Sequence, residues 1–199
     1  MLLWMGMLLV ACGEDTLDSE EDTGGGFFGE GGSHSGDVEL VTTLGVVVIG
    51  LESELTPETT ENFLSYVSSG FYDGSDGGGA TTFHRVIDNF MVQGGGYTTE
   101  GQLKGTQAPI VLESNVGLSN LRGTISMART KDPNSATSQF FINLVDNLFL
   151  DYKGESSPGY AVFGEVIEGM EVIDEIGGTA TGSGDVPLSV IELESVSVF

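Results

Sequence analysis

The chain has 199 residues with 30 Asp and Glu against six Lys and Arg, so its net charge is −24 and its length fits one domain with additional segments. That charge argues against binding to nucleic acid and against docking on anionic lipid through a basic patch, because the phosphates repel an acidic protein. A single cysteine, Cys12, excludes an intrachain disulfide and a metal cluster built on cysteines.

Residues 1–11 form an uncharged apolar segment that is too short to cross a membrane as a helix. Eleven helical residues rise about 16 Å against a hydrocarbon core of about 30 Å, so the length is typical of a signal peptide. The last positions, Leu9-Val10-Ala11 followed by Cys12, resemble a bacterial lipobox. That resemblance implies a mature protein that begins at a lipidated Cys12 and is anchored to the membrane.

One feature counts against the lipoprotein interpretation. No Lys or Arg precedes the apolar run, whereas a signal peptide normally begins with positive charge. The alternative is a frayed apolar tail with an incidental cysteine. Gly13 follows Cys12 in place of the aspartate that retains some lipoproteins in the inner membrane, which favours an outer membrane location facing the periplasm.

Residues 12–36 contain seven acids, no base and many glycines. Such a segment cannot bury enough apolar surface to offset its ordering entropy, so we predict a flexible acidic tether. Residues 37–199 are predicted to form the folded domain. The domain keeps the other 23 acids and all six bases, a charge of −17, so the acidity belongs mainly to the domain.

From Asp37 onward the pattern predicts a mainly β domain with two helices. One helix begins after Thr56, with Pro57 at the first helical position and Gly70 as its stop, and a shorter helix spans residues 169–176. Short β-branched runs separated by Gly-rich turns predict a sandwich or a closed barrel. The predicted strands are residues 38–42, 45–51, 81–87, 90–93, 123–128, 138–144, 160–167 and 190–199.

Three segments carry a family resemblance: residues 83–95 (FHRVIDNFMVQGG), 123–142 (GTISMARTKDPNSATSQFFI) and 160–166 (YAVFGEV). They resemble the cyclophilin family of peptidyl-prolyl cis–trans isomerases, its bacterial branch in particular, from about residue 38 to residue 199. The resemblance implies a closed eight-stranded antiparallel β-barrel capped by two α-helices. It also implies a monomeric enzyme that acts on proline-containing polypeptides and needs neither cofactor nor metal.

Rotation about an X–Pro bond meets a barrier of about 18–20 kcal/mol, whereas the cis and trans forms differ by only about 0.5–1 kcal/mol, so the problem is kinetic. A site that prefers the twisted amide lowers the barrier, because the nitrogen of the twisted amide can accept a hydrogen bond. Arginine suits this role since it stays protonated and presents fixed donors. The resemblance assigns the catalytic role to Arg85. The alternative is an arginine that serves only as an ion-pair partner in an acidic protein.

The resemblance assigns nine further residues to the substrate cleft: Phe90, Met91, Gln93, Ala128, Arg129, Phe141, Phe149, Leu150 and Tyr160. In this assignment Gln93 hydrogen-bonds the substrate backbone and also holds Arg85, while Ala128 and Arg129 border the residue before proline. Eukaryotic cyclophilins commonly have Trp where Phe149 falls and His where Tyr160 falls. Phe149 keeps an apolar wall but lacks the indole donor, which predicts weak binding of cyclosporin-type macrocycles.

Strand alternation places neighbouring side chains on opposite faces. It predicts that Phe140 points into the barrel while Phe141 faces the pocket, and that His84 is a core histidine on the side away from Arg85. The insert at residues 75–80 lengthens a loop that we expect near the active face, where it alters substrate access.

The leading hypothesis is a lipid-anchored extracytoplasmic isomerase of X–Pro bonds. One alternative is a proline-binding or chaperone module that holds clients without turnover, and another is an inert surface lipoprotein. Client binding that persists in an Arg85→Ala variant distinguishes the binding module from the enzyme.

Overall fold

A computed structural model of the protein describes residues 36–199. The predictions for the signal peptide, for the lipidated Cys12 and for the tether up to residue 35 lie outside the described residues. Within residues 36–199, no helix has the length and apolar character needed to cross a membrane.

Eight strands and two α-helices make up the described part of the chain. The strands are Asp37–Thr42 (β1), Gly45–Leu51 (β2), Thr81–Ile87 (β3), Met91–Thr98 (β4), Thr124–Met127 (β5), Phe140–Asn143 (β6), Val162–Glu168 (β7) and Leu193–Val198 (β8). The helices are Pro57–Ser68 (α1) and Met170–Gly177 (α2), with 3₁₀ turns at Leu148–Leu150 and Ser183–Asp185. Every predicted element is confirmed with ends shifted by a few residues, and β4 continues five residues beyond its predicted end.

The strands form one antiparallel sheet in the order β3-β4-β6-β5-β7-β2-β1-β8. The two ends of this order approach each other, since Thr82 forms a β-bridge with Glu192 and the Phe83 N–H donates to the Ile191 carbonyl over 2.9 Å. The sheet is therefore a nearly closed eight-stranded barrel with two helices, and the predicted fold class is confirmed.

An aromatic cluster fills the barrel interior. Phe63 of α1 meets Phe140 of β6 edge to face with ring centroids 5.7 Å apart, and Phe163 and Tyr72 lie 5.2 and 5.4 Å from Phe63. All four side chains are fully buried. The prediction that Phe140 points into the barrel is confirmed, and strand alternation places its neighbour Phe141 outside this core cluster.

The start of α1 is stabilised by a distant residue and not by its own first side chain. Thr56 occupies the N-cap position as predicted, but its hydroxyl donates to the Glu52 carbonyl over 2.7 Å and does not cap the helix. The Glu113 carboxylate instead accepts the backbone N–H groups of Glu58 and Thr59 over 3.3 and 2.8 Å. A carboxylate at this end also complements the positive end of the helix dipole.

The insert at residues 75–80 wraps around a buried lysine. The Lys104 ammonium donates to the Asp76 carboxylate over 2.9 Å and to the carbonyls of Phe71 and Gly79 over 2.6 and 2.8 Å. It also lies 4.4 Å from the centre of the Phe71 ring. Because the three donors of this buried cation all have partners, the insert is fixed to the body of the domain.

Candidate active site

A pocket of about 130 Å³ lies against β3, β4 and β6 on the face turned away from the barrel interior. Nine of the ten predicted site residues border it: Arg85, Phe90, Met91, Gln93, Ala128, Arg129, Phe141, Leu150 and Tyr160. The tenth, Phe149, stacks on Phe90 with ring centroids 5.7 Å apart and is 61% exposed. The fold therefore gathers residues that are up to 75 positions apart in the chain around one cavity.

The floor of the pocket is apolar and closely packed. Met91 and Phe141 are buried, and the Tyr160 ring meets the Phe141 ring edge to face with centroids 5.5 Å apart. Phe90 follows a tight turn in which Asn89 adopts a φ of +54°, a backbone conformation that asparagine tolerates better than most residues. A small apolar ring fits such a cavity, since one water occupies about 30 Å³ in the liquid.

Arg85 borders the pocket from β3, directly opposite Gln93 of β4. Its Nε donates to Oδ2 of Asp185 over 3.3 Å, and its side chain is 42% exposed. Among residues 36–199 the guanidinium has no other hydrogen-bond partner. The two terminal amino groups of Arg85 therefore keep their donors for a ligand.

Gln93 does not hold Arg85, contrary to the prediction. Its side-chain amide donates to Oε1 of Gln139 over 2.9 Å, whereas Asp185 is the residue that contacts Arg85. The sequence pattern could not show this, because Gln139 and Asp185 lie outside the strands that carry Gln93 and Arg85.

Arg129, the second arginine at the pocket, is held by the protein through all three of its guanidinium nitrogens. Its Nε and Nη2 donate to the Gly159 carbonyl over 2.8 and 2.7 Å, and its Nη1 donates to the Thr130 carbonyl over 2.9 Å. The guanidinium also lies over the Tyr160 ring at 4.5 Å. Arg129 thus forms a fixed wall beside Tyr160, whereas Arg85 is the pocket arginine whose two terminal nitrogens are both unbonded among the described residues.

A second cavity of about 700 Å³ adjoins the pocket and shares Arg85, Gln93 and Arg129 with it. Its lining also includes residues 97–99, Gly101 and parts of the chain leading into β8. The insert at residues 75–80 borders neither cavity. Its predicted influence on substrate access therefore finds no direct support in the geometry.

His84 departs from its prediction as a core histidine. It is half-buried and borders the larger cavity together with Arg85, and its buried Nδ1 has no hydrogen-bond partner. The reason is a β-bulge: β3 advances two residues between Phe83 and Arg85 while β4 advances one, which interrupts the alternation of faces. Burial lowers the pKa of the His84 imidazole, and the nearby charge of Arg85 acts in the same direction.

Comparison with known proteins places this fold and pocket in a family. The family model for "Cyclophilin type peptidyl-prolyl cis-trans isomerase/CLD" matches residues 37–198, nearly the whole described chain. Peptidyl-prolyl cis-trans isomerase B of Escherichia coli (strain K12) is 51% identical over 167 residues, which cover 81% of this chain and 98% of the relative. Peptidyl-prolyl cis-trans isomerase cyp18 of Streptomyces antibioticus is 50% identical over 167 residues, covering 81% and 97%.

Solved structures agree with the sequence relatives. A cyclophilin type peptidyl-prolyl cis-trans isomerase of Cryptosporidium parvum, crystallised in the presence of the dipeptide Ala-Pro, is similar with a TM-score of 0.66 and 26% identity. The match covers 82% of this chain and 98% of that structure. The chain belongs to the cyclophilin-type peptidyl-prolyl cis-trans isomerase family, so the predicted enzyme class is confirmed.

Proposed function

We propose that the domain accelerates X–Pro rotation by holding the proline ring in the 130 Å³ pocket and offering the free terminal amino groups of Arg85 to the twisted amide. The observation that carries this proposal is the arrangement of Arg85: it borders an apolar pocket, and only its Nε is bound among the described residues. In the neighbouring Arg129 each guanidinium nitrogen already donates to a backbone carbonyl, whereas both terminal nitrogens of Arg85 are unbonded among the described residues.

The proposed mechanism needs no bond to be broken. Met91 and Phe141 form the floor under the proline ring, so the ring stays in place while the preceding carbonyl swings about the C–N bond. As the amide twists, its nitrogen loses conjugation with the carbonyl and becomes a hydrogen-bond acceptor. The cationic guanidinium of Arg85 donates to that nitrogen. Because this bond forms only in the twisted state, it stabilises the transition state more than either ground state.

Isomerisation of a short proline peptide tests the proposal directly. Removal of one preorganised donor costs about 10²–10³ in rate in comparable sites, so we expect that loss in kcat/KM for Arg85→Ala. Arg122→Ala is the matched control, since Arg122 is exposed to a similar extent but pairs with Asp174 away from the pocket. Wild-type rates in Arg85→Ala would overturn the mechanism. If the wild type and Arg85→Ala both bind client polypeptides but neither isomerises them, the proline-binding or chaperone module would be favoured.

We further propose that the protein is a lipid-anchored monomer that serves proline-containing polypeptides outside the cytoplasm, on the outer membrane facing the periplasm. Support comes from the apolar residues 1–11, the lipobox-like run ending at Cys12, and Gly13 at the following position. Uncatalysed X–Pro isomerisation takes tens to hundreds of seconds, so folding there benefits from an isomerase. Stable anchoring requires more than one acyl chain.

Fractionation of cells that express the full chain tests the anchor. We expect the wild type in the membrane fraction with incorporated fatty acid, and Cys12→Ala in the soluble fraction without it. Gly13→Ser is the matched control and should remain lipidated, because it leaves Cys12 and the preceding residues unchanged. A soluble, unlipidated wild type would show that the lipobox-like run is incidental.

A further inference from the structure

We propose that Asp185 is a positioning residue for Arg85: its carboxylate holds Nε and thereby aims the two terminal amino groups at the proline pocket. This inference rests on the proposed function of Arg85. It transfers the role that the family resemblance assigned to Gln93 to a residue 100 positions beyond Arg85 in the chain.

The atom that Asp185 contacts is what makes the pair suited to positioning. A guanidinium is planar, so one bond at Nε restricts its plane while leaving both terminal amino groups unoccupied. Asp185 Oδ2 accepts from Nε alone, over 3.3 Å. In the exposed pair of Arg122 and Asp174 the carboxylate binds both terminal nitrogens of Arg122 at 2.7 Å each and so occupies the edge of the guanidinium that a ligand would need.

The loop that carries Asp185 is built to present it. Asp185 lies at the tip of a hairpin closed by two backbone hydrogen bonds, from Gly182 N–H to the Val186 carbonyl at 2.8 Å and from Leu188 N–H to the Ala180 carbonyl at 2.9 Å. The tip packs against β3, the strand of Arg85. The hairpin therefore fixes the carboxylate in relation to Arg85 from outside the barrel.

The backbone at Asp185 adopts a left-handed conformation that few residues other than glycine, asparagine and aspartate enter. Asp185 has a φ of +61°, and within residues 36–199 the only other non-glycine residue with a positive φ is Asn89. Asn89 immediately precedes Phe90 and Asp185 contacts Arg85, so each of the two residues neighbours a residue that borders the pocket. Such conformations cost free energy and persist where the surrounding structure enforces them.

Stability does not account for the pair. The two side chains are 42% and 45% exposed, and ion pairs this exposed contribute little to folding in most proteins. Loss of orientation at a reacting group can lower a rate strongly even where stability is unchanged. The contact between Asp185 and Arg85 therefore bears on the rate more than on the fold.

Two substitutions at Asp185 test the inference without disturbing the loop. Gly and Asn both tolerate a positive φ, so Asp185→Gly removes the acceptor and Asp185→Asn keeps a neutral acceptor at the same backbone conformation. We expect Asp185→Gly to lower kcat about tenfold, with KM within twofold of wild type. The kcat of Asp185→Asn should lie between that of Asp185→Gly and that of the wild type. Asp174→Asn, the matched change in the other pair, should leave kcat and KM unchanged.

A double variant and a spectroscopic signal separate positioning from a structural role. Once Arg85 is Ala, adding Asp185→Gly should not lower the residual rate further, and Asp185→Gly alone should speed solvent exchange of the Arg85 Nε–H in NMR spectra. Wild-type kcat in Asp185→Gly, or losses that multiply in the double variant, would overturn the inference while leaving the role of Arg85 intact. Wild-type kcat/KM in Arg85→Ala would overturn the proposed mechanism itself.

Discussion

The barrel interior and the pocket are both lined by aromatic rings, but they differ in what the protein leaves open. Inside the barrel, Phe63, Tyr72 and Phe140 are fully buried, and the Tyr72 hydroxyl donates to the Ser138 carbonyl over 2.8 Å. At the pocket, Phe90 is half-buried and the Phe149 stacked on it is 61% exposed. The interior is complete without a ligand, whereas the pocket presents apolar surface that a ligand can cover.

The same contrast separates two arginines that exposure alone cannot tell apart. The Arg85 and Arg122 side chains are 42% and 45% exposed, and each contacts one aspartate. Arg122 gives both terminal nitrogens to Asp174 and one of them also to the Leu144 carbonyl, while Arg85 gives only Nε to Asp185. A functional side chain here is recognised by its unoccupied donors and not by its exposure.

Substitution of two neighbouring residues of β6 should give the largest difference between the barrel interior and the pocket. Phe140→Ala opens a cavity among fully buried rings and should lower the free energy of unfolding by about 3–5 kcal/mol. Phe141→Ala removes part of the pocket floor, so its main effect should be a higher KM for a proline peptide. Urea denaturation and steady-state kinetics on both variants measure the two effects.

If Phe140→Ala and Phe141→Ala lost the same unfolding free energy and had the same KM, the distinction between core and pocket would be wrong. Phe63→Leu is a useful control, because it alters the same interior cluster by a smaller change in volume. It should destabilise less than Phe140→Ala and leave KM unchanged.

An effect of intermediate size is expected when the positive charge of Arg85 is kept but its planar guanidinium is replaced. Arg85→Lys places a compact ammonium where two parallel donors stood and loses the Nε contact to Asp185. We expect kcat to fall about tenfold or more, with little change in unfolding free energy. Arg122→Lys should leave kcat unchanged. Wild-type kcat in Arg85→Lys would show that positive charge alone is sufficient.

The helices and strands were predicted well, because helix ends and strand alternation are marked by residues close together in the sequence. Pro57 and Gly70 mark the limits of α1, and the alternation of Phe140 and Phe141 identifies which ring enters the core. The pocket residues were predicted through the resemblance of three segments to a family, and the fold brings nine of them around one cavity. The apolar character of the pocket residues alone would equally have predicted that they belong to the hydrophobic core.

The contacts that sequence reasoning missed join residues far apart in the chain. Asp185 reaches Arg85 across 100 positions, and Glu113 reaches the start of α1 across 54. Neither belongs to a periodic pattern, so no local signal indicates its partner. The bulge that turns His84 toward the larger cavity depends on the registers of β3 and β4, which are properties of the strand pair.

The smallest effect concerns the pH dependence of stability at the edge of the site. Burial lowers the pKa of His84 below its ordinary value near 6.5, whereas in the unfolded chain the imidazole titrates normally. As the pH falls below about 6.5, the unfolded state binds a proton that the folded state resists, so stability decreases toward the folded-state pKa. One proton limits the slope to about 1.4 kcal/mol per pH unit.

Urea denaturation between pH 7.5 and 5.5 measures this dependence, and His84→Gln should flatten it relative to wild type. His34→Gln is the matched control, because that histidine lies in the predicted tether and should retain the wild-type slope. A slope that is unchanged in His84→Gln would mean that the imidazole titrates alike in both states, as for a fully solvated residue. The free-energy cost of protonating His84 at its half-buried position beside Arg85 would then resemble that of a histidine on the solvent-exposed surface more than that of one in the barrel interior.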